Sequence, residues 1–173
     1  MKKILIFILN LILIFSMCCN SFVYATNING MTEEEIIQKY EQIKKERALL
    51  KKSRDSKFDI IRNNNIKIQE LKAQALSSIQ SASNKVDKLL EQIKRNEVVI
   101  TQDLLNQLTS MLNLLQTSNA TIANEANQLQ EIVKMVKIKG YDSSVLTVLD
   151  SAIEKQNAII VSYKQIIETL NNL

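Results

Sequence analysis

The longest regular pattern of apolar residues lies in residues 98–136. Apolar side chains recur there at alternating steps of three and four residues, and only two of the twelve positions are polar. A repeat of 3.5 residues over this length predicts an α-helix whose narrow apolar seam packs against other helices. The seam positions are Val98, Thr101, Leu105, Leu108, Leu112, Leu115, Asn119, Ile122, Ala126, Leu129, Val133 and Val136.

Two further segments carry the same repeat. One covers residues 61–93, with Asn65 and Lys72 as its polar members, and the other covers residues 145–173. A polar residue in such a seam either fixes the register of the helices or lies at a solvated end. The last segment also has apolar residues beside its seam. A wide apolar stripe is typical of a bundle of three or four helices, whereas a narrow seam is typical of a two-stranded coil.

Two helix boundaries have clear local signals. Thr32 precedes Glu35 by three residues, which is the capping-box spacing at the start of a helix. Gly140 can adopt the left-handed conformation that ends a helix, and Asp142 or Ser143 can start the next one.

Two other boundaries remain open. Residues 51–57 contain no apolar side chain, so they form a bend, a loop or a helical stretch that leaves the bundle. Asn96 can close a helix and Thr101 can cap the next one, but the apolar residues 98–100 would equally carry one helix straight through.

These patterns predict an all-α protein of long antiparallel helices, arranged as a three- to four-helix bundle or a coiled-coil-like hairpin. The predicted helices cover about residues 33–52, 58–95, 102–138 and 143–172, in a single domain over residues 32–173. The second and third are similar in length, which favours their folding back on each other. The chain has no proline and only two glycines, so folds with many tight turns are disfavoured.

The first 25 residues have the three parts of a secretory signal. Lys2 and Lys3 precede the apolar residues 4–15, and Ala25 ends the segment with a small residue at the expected cleavage site. We expect cleavage after Ala25, followed by a short mobile leader over residues 26–31. The remaining chain is then secreted or held at the extracytoplasmic cell surface.

An uncleaved anchor is the alternative interpretation of this segment. Residues 4–23 form an apolar stretch long enough to span a bilayer, and the two lysines before it would leave the rest of the chain outside. A lipoprotein is a weaker third alternative, because Met17 before Cys18 is larger than the small residue expected there. Both cysteines, Cys18 and Cys19, lie in this segment, so cleavage after Ala25 leaves no thiol.

The composition argues against catalysis. Without histidine, and without cysteine after cleavage, the chain has no Ser-His-Asp triad, no Cys-His pair and no usual zinc site. With glycine only at positions 30 and 140, it has no phosphate-binding or dinucleotide-binding loop. Glu33, Glu34 and Glu35 complement the positive end of a helix dipole and are not expected to bind metal. We therefore expect no enzyme activity, no cofactor, no metal and no small-molecule substrate.

The chain has a formal charge of +4, and its basic residues are concentrated in one segment. Without Lys2 and Lys3 the balance is 20 basic against 18 acidic residues, so the overall charge indicates little about partners. Between positions 44 and 57, seven basic residues face only Glu46 and Asp55. They form a possible contact for anionic wall polymer, anionic lipid or an acidic protein face, or else a solvated stretch without a ligand; nucleic acid is not expected. They are Lys44, Lys45, Arg47, Lys51, Lys52, Arg54 and Lys57.

The sequence thus predicts an exported, non-catalytic helical protein that acts through protein–protein interaction, as a scaffold, an adhesion factor or a holdase, or through self-association. The alternatives are a membrane-active, toxin-like helical protein and a wall-associated accessory factor. This layout resembles that of many exported helical proteins, including trimeric periplasmic holdases and coiled-coil regions attached to wall hydrolases. No motif in the chain is specific to one family.

Overall fold

A computed structural model of the chain describes residues 30–140 and 142–173. Three α-helices hold 87% of these positions, and no β-strand occurs among them, which confirms the all-α prediction. We number the helices α1 (Glu33–Lys94), α2 (Gln102–Met135) and α3 (Ser143–Asn171). The predicted signal peptide or anchor, both cysteines and most of the predicted leader lie outside the described residues.

Helix α1 is continuous over 62 residues, so the predicted division into helices over 33–52 and 58–95 is wrong. The polar residues 51–57 contain neither glycine nor proline, and their lysines and arginine are good helix formers. A missing apolar seam indicates a helix face without an apolar packing neighbour; it does not indicate a break.

Thr32 and Glu35 form the predicted capping box at the start of α1. The Glu35 amide donates to Thr32 Oγ1 at 3.3 Å, and the Thr32 amide donates to Glu35 Oε2 at 2.7 Å. The hydrogen bond from the Thr32 amide, followed by that from the Thr32 hydroxyl, lowers the pKa of Glu35. The first turn of α1 is therefore stabilised by the ionised form of Glu35.

A turn separates α1 from α2. Asn96 has a φ of 58°, in the left-handed region, and Thr101 caps α2 by accepting a hydrogen bond from the Leu104 amide at 3.2 Å. Val99 and Ile100 are 81% and 58% exposed, so their apolar character does not draw them into a continuing helix. Of the two open alternatives for this segment, the structure has the turn.

Helix α2 ends three residues before the predicted boundary, and α3 starts as predicted. Gly140 has a φ of 121°, which favours glycine. Asp142 Oδ1 accepts hydrogen bonds from the Val145 amide at 3.0 Å and from Ser144 Oγ at 2.5 Å. The Ser144 hydroxyl, followed by the Val145 amide, lowers the pKa of Asp142, so this cap is also strongest when ionised.

The chain divides into two compact units. Of the described residues, the first unit comprises those up to Asp55 and those from Lys139 to Leu146, and the second comprises Ser56–Ile138 and Thr147–Leu173. In the first unit, no residue in the range 33–55 is buried, and Arg54 Nη1 donates to the Gly140 carbonyl at 3.1 Å. In the second unit, all three helices contribute buried side chains.

The core of the second unit is centred on α3. Gln156 and the apolar residues on either side of it along the predicted α3 seam are buried, whereas Leu173 at its end is 37% exposed. On α1 four of the buried residues repeat every seven positions, as expected for one face of a helix, and Ser78 and Val86 are buried beside them. The repeating residues are Ile61, Ile68, Ala75 and Ala82 on α1, and the buried seam residues of α3 in this unit are Leu149, Ala152, Gln156, Ile159, Tyr163, Ile166 and Leu170.

Helices α1 and α3 run in the same direction where they touch. Asn64 Nδ2 donates to Asn157 Oδ1 at 3.3 Å, and fourteen residues further along each helix Ser78 Oγ donates to Asn171 Oδ1 at 3.0 Å. Because the residue numbers rise together along both helices, the pair is parallel in this region.

Candidate interaction surfaces

An apolar stripe on the first part of α1 is exposed. Ile36, Tyr40, Ile43 and Leu50 follow one another at helical spacing and therefore lie on one side of the helix. Tyr40 is 44% and Ile43 is 36% exposed, and Ile36 and Leu50 are half-buried. Ile68, further along the same helix, is 0% exposed. We call Ile36, Tyr40, Ile43 and Leu50 the α1 stripe.

Four of the seven predicted basic residues are exposed on one side of α1, and two of them, Lys44 and Lys51, border the α1 stripe. Lys44, Lys45, Lys51 and Lys52 fall within about a third of the helix circumference, because an α-helix turns roughly 100° per residue. Lys44 Nζ lies 3.7 Å from Glu41 Oε1, and both side chains are largely exposed. An exposed pair of this kind contributes little to stability, so the lysines keep most of their charge available to a partner.

The other three predicted basic residues are half-buried. Arg54 donates to the Gly140 carbonyl, and its Nη2 lies 3.5 Å from Asp55 Oδ1. Lys57 is paired with Asp150 on α3. The structure therefore brings four of the seven residues, Lys44, Lys45, Lys51 and Lys52, onto one exposed face, and engages Arg54 and Lys57 within the chain. Binding of an anionic partner by these residues stays a prediction.

The buried stripe of α2 differs from the predicted seam at every second position. Leu108, Leu115 and Ile122 are buried as predicted, but the residues that alternate with them lie one position earlier than predicted. Burial falls on Ser118, Glu125 and Ile132 in place of Asn119, Ala126 and Val133, and Leu105, Leu112 and Val133 are 44%, 50% and 50% exposed. The predicted seam is wrong at these positions.

The shifted stripe leaves apolar side chains on the outside of α2. Near the end of the helix, Leu129 and Val133 take part in a shallow, open groove of about 360 Å³. Gln130, Lys134 and Lys137 complete its lining. The groove is apolar at its base and carries two lysines, and it has the form of a minor contact surface.

A buried polar contact joins α3 to α1. Gln156 is 0% exposed, and its Nε2 donates to the Ile61 carbonyl at 3.1 Å and to Asn65 Oδ1 at 2.8 Å. Its Oε1 has no hydrogen-bond partner among the described residues. Sequence reasoning placed Gln156 on the α3 seam but singled out only Asn65 and Lys72. The signal for Gln156 was its polar side chain at the centre of an otherwise apolar stripe.

Tyr163 on α3 and Glu125 on α2 are two further buried polar residues, and Tyr163 lies seven residues after Gln156. Tyr163 is 0% exposed, and its hydroxyl has no hydrogen-bond partner among the described residues. Burial raises the pKa of Tyr163, and the charge of Glu125 on α2 adds to this effect. Glu125 itself is 7% exposed, and its Oε2 also has no partner in the described part of the chain. Neither residue was predicted from the sequence to be special.

Residues 30–140 and 142–173 contain neither a candidate metal site nor a candidate membrane span. No three carboxylate, histidine or cysteine side chains there come close enough together to hold a metal ion. None of the helices in these ranges combines the length and the apolar character needed to cross a bilayer.

Comparisons of the chain with protein-family models, with curated proteins and with solved structures find no match. The features that bear on function are therefore its own surfaces. These are the α1 stripe, the four exposed lysines on the neighbouring face of α1 and the apolar outside of α2.

Proposed function

We propose that this chain is an exported, non-catalytic helical protein that acts by binding other proteins, as a scaffold, an adhesion factor or a holdase. The α1 stripe carries the proposal. Tyr40 and Ile43 remain 44% and 36% exposed at regular helical spacing within a highly charged segment. Covering apolar surface is favourable by roughly 25 cal/mol per Å². An exposed apolar patch with a polar rim is typical of a surface that binds another macromolecule.

We further propose that the second unit is an antiparallel three-helix bundle, with α2 running opposite to α1 and α3. Two relationships between α2 and α3 support this arrangement. Lys155 Nζ lies 3.6 Å from Glu131 Oε2, whereas Tyr163, later in α3, is influenced by the charge of Glu125, earlier in α2. Residue numbers that rise along one helix while they fall along the other are expected of antiparallel neighbours.

The export and non-catalytic parts of the proposal rest on the sequence. Residues 1–25 have the basic start and apolar centre of a secretory signal or anchor, which favours a secreted or cell-surface location. The chain has no histidine, and both its cysteines lie in that segment, which disfavours the common kinds of nucleophilic catalysis.

Association with an anionic surface is the second candidate function. The observation that favours it is the position of Lys44 and Lys51 at one edge of the α1 stripe, with Lys45 and Lys52 further round the same exposed face. A helix with an apolar side flanked by lysines is typical of proteins that lie on anionic lipid, and the same charges would attract anionic wall polymer.

Photo-crosslinking in intact producing cells tests the first function against the second. A photoreactive amino acid replaces Tyr40 in the full chain, and the matched control carries it at Gln38, which is exposed on the opposite side of the same helix. We expect protein adducts at Tyr40 well in excess of those at Gln38. Equal adducts at the two positions would contradict protein binding through the α1 stripe.

The same cells distinguish the anionic-surface alternatives. If the Tyr40 position yields lipid adducts only and the chain floats with anionic vesicles, the protein acts on membranes. If charge reversal at Lys51 and Lys52 releases the chain from the cell wall while the Tyr40 position yields no protein adduct, it is a wall-associated factor. Both results would contradict the first proposal.

A further inference from the structure

We infer that the partner of the α1 stripe is the α1 stripe of a second copy of this chain, with the two helices antiparallel over residues 33–50. The inference rests on the proposed function, because it names the partner of the same surface. It concerns only the first part of α1, in which no residue is buried. The argument depends on how charge is distributed along this helix.

The two ends of the segment have opposite charge. Glu33, Glu34 and Glu35 form its first turn, and Lys51 and Lys52 follow its last apolar residue, Leu50. A parallel pair of copies would place acidic end against acidic end and lysine against lysine. An antiparallel pair places the acidic end of each copy next to the lysines of the other, which is electrostatically complementary.

The apolar spacing determines which residues meet across such a pair. Seam residues are spaced alternately three and four residues apart along each helix. In an antiparallel coiled coil, the residue before a three-residue step faces, on the other helix, the residue after a three-residue step. The register that we infer places Tyr40 opposite Ile43 of the second copy, twice by symmetry. Ile36 then faces Arg47 of the second copy, whose aliphatic stem can cover it while the guanidinium reaches water. Eighteen paired residues give an interface about 27 Å long.

Charges beside the stripe favour this register over its neighbour. In the inferred register, Lys39 flanks Glu46 of the second copy, again twice by symmetry, so the two flanking pairs are attractive. A shift by one heptad would place Tyr40 opposite Leu50, and would set Glu46 against Glu46 and Lys44 against Lys44. Like charges facing each other are destabilising, so the shifted register is disfavoured.

Disulfide trapping in the full chain tests both the pairing and its direction. Cys18→Ser and Cys19→Ser remove the native thiols, and two differently tagged chains, one with Ile36→Cys and one with Arg47→Cys, are produced in the same cells. In the antiparallel pair, position 36 of one copy meets position 47 of the other. Two Ile36 positions would lie eleven residues apart along the axis, or about 16 Å, which is too far for a disulfide.

The matched control pair is Glu41→Cys with Gln42→Cys. These residues lie at the same level of the inferred pair but point away from the α1 stripe. We expect the 36–47 disulfide between tagged chains to exceed the 41–42 disulfide by on the order of tenfold, because pairing holds the thiols at a high effective concentration. Disulfides of 36 with 36 and of 47 with 47 would overturn the antiparallel direction, and the absence of all of these disulfides from a helical chain would overturn self-pairing.

Charge exchange tests the register independently. Lys39→Glu places like charges together and is expected to lower the yield of the 36–47 disulfide, whereas combining it with Glu46→Lys is expected to restore that yield. A yield of the 36–47 disulfide that neither change alters would overturn the register. Failure of self-pairing is also distinguishable from failure of the proposed function. If no disulfide forms but the photoreactive group at Tyr40 captures a different protein, self-pairing fails and the proposed function stands.

Discussion

Gln156 of α3, which is completely buried, donates a hydrogen bond from Nε2 to Asn65 Oδ1 of α1 at 2.8 Å. The same nitrogen donates to the Ile61 carbonyl, one helical turn earlier in α1. A shift of either helix by one residue breaks both bonds, so this polar contact sets the register of two parallel helices. The contact also has a destabilising part, because Gln156 Oε1 is buried without a hydrogen-bond partner among the described residues.

Gln156→Leu is expected to increase the free energy of unfolding by about 1 kcal/mol, because it removes a buried oxygen that has no hydrogen-bond partner. Asn65 is exposed and can bind water in place of Gln156. Thermal unfolding followed by circular dichroism gives the result. Gln156→Ala is the control, since it removes the same polar group but leaves a cavity, and is expected to be less stable than Gln156→Leu. A Gln156→Leu variant that is clearly less stable than the parent chain would contradict this account.

Tyr163 makes stability fall in alkaline solution. Burial, with the charge of Glu125, raises the pKa of Tyr163 above its ordinary value of 10.0. Below that value Tyr163 is neutral in both states and its contribution is fully present. As the pH rises from there through the folded-state pKa, the unfolded chain ionises first and the contribution is lost.

Tyr163→Phe is therefore expected to reduce the loss of stability above pH 10.0. Near neutral pH it is expected to be as stable as the parent chain or more stable, because the buried hydroxyl has no partner in the described part of the chain. Urea unfolding at neutral and alkaline pH measures both effects. Tyr40→Phe, at an exposed tyrosine, is the control and should keep the alkaline loss of the parent chain. An unchanged alkaline loss in Tyr163→Phe would show that Tyr163 is not its source.

Substitutions at two neighbouring residues of α2 test which of two stripes is buried: the stripe that contains Ile132, or the seam predicted from the sequence, which contains Val133. Ile132 is 2% exposed and Val133 is 50% exposed. Ile132→Ala is expected to lower the free energy of unfolding by about 2–5 kcal/mol, because it leaves a cavity in the core. Val133→Ala is expected to change it by no more than about 0.5 kcal/mol. The opposite order in chemical denaturation would mean that the seam predicted from the sequence is the buried one.

The two helix caps make stability fall in acid. Hydrogen bonds lower the pKa of Glu35 from 4.5 and that of Asp142 from 3.8. The stabilisation from each is present above the unfolded-state pKa and is lost as the pH falls through the folded-state pKa. Asp142→Ala is expected to cost about 1 kcal/mol at neutral pH and less in acid, where Asp142 is protonated in the parent chain. A cost that does not change between neutral pH and acid would contradict an ionised cap.

Features that depend on local chemistry were predictable from the sequence. A capping box needs only Thr32 and Glu35, so no distant residue decides it. The turn before α2 has equally local signals in Asn96 and Thr101, but the apolar residues 98–100 left a continuous helix open as the alternative. Residues 51–57 were left open as a bend, a loop or a helical stretch that leaves the bundle, and the structure has the helical stretch, so the predicted bounds 33–52 and 58–95 were wrong. Local sequence could not decide this, because the absence of apolar residues reflects the surroundings of the helix and the segment contains neither glycine nor proline.

Features that depend on packing were predicted only in part. The α2 seam was ambiguous because apolar residues stand side by side at alternate positions, as Leu104 with Leu105 and Ile132 with Val133 do. Periodicity along one helix cannot choose between such neighbours, since the choice depends on where the other helices lie. The exposure of the α1 stripe cannot be deduced from its spacing for the same reason, because Tyr40 and Ile43 give the same pattern whether or not another helix covers them.

Amide hydrogen exchange along the full chain tests most directly the claim that the α1 stripe is exposed in the isolated chain and binds a protein partner. In dilute solution we expect residues 36–50 to exchange much faster than residues 61–86, because only the latter carry the buried positions of α1. When the chain is returned to the extracellular fraction of producing cells, exchange in residues 36–50 is expected to slow. Equal protection of the two segments in the dilute chain, or unchanged exchange in residues 36–50 after that return, would contradict the account.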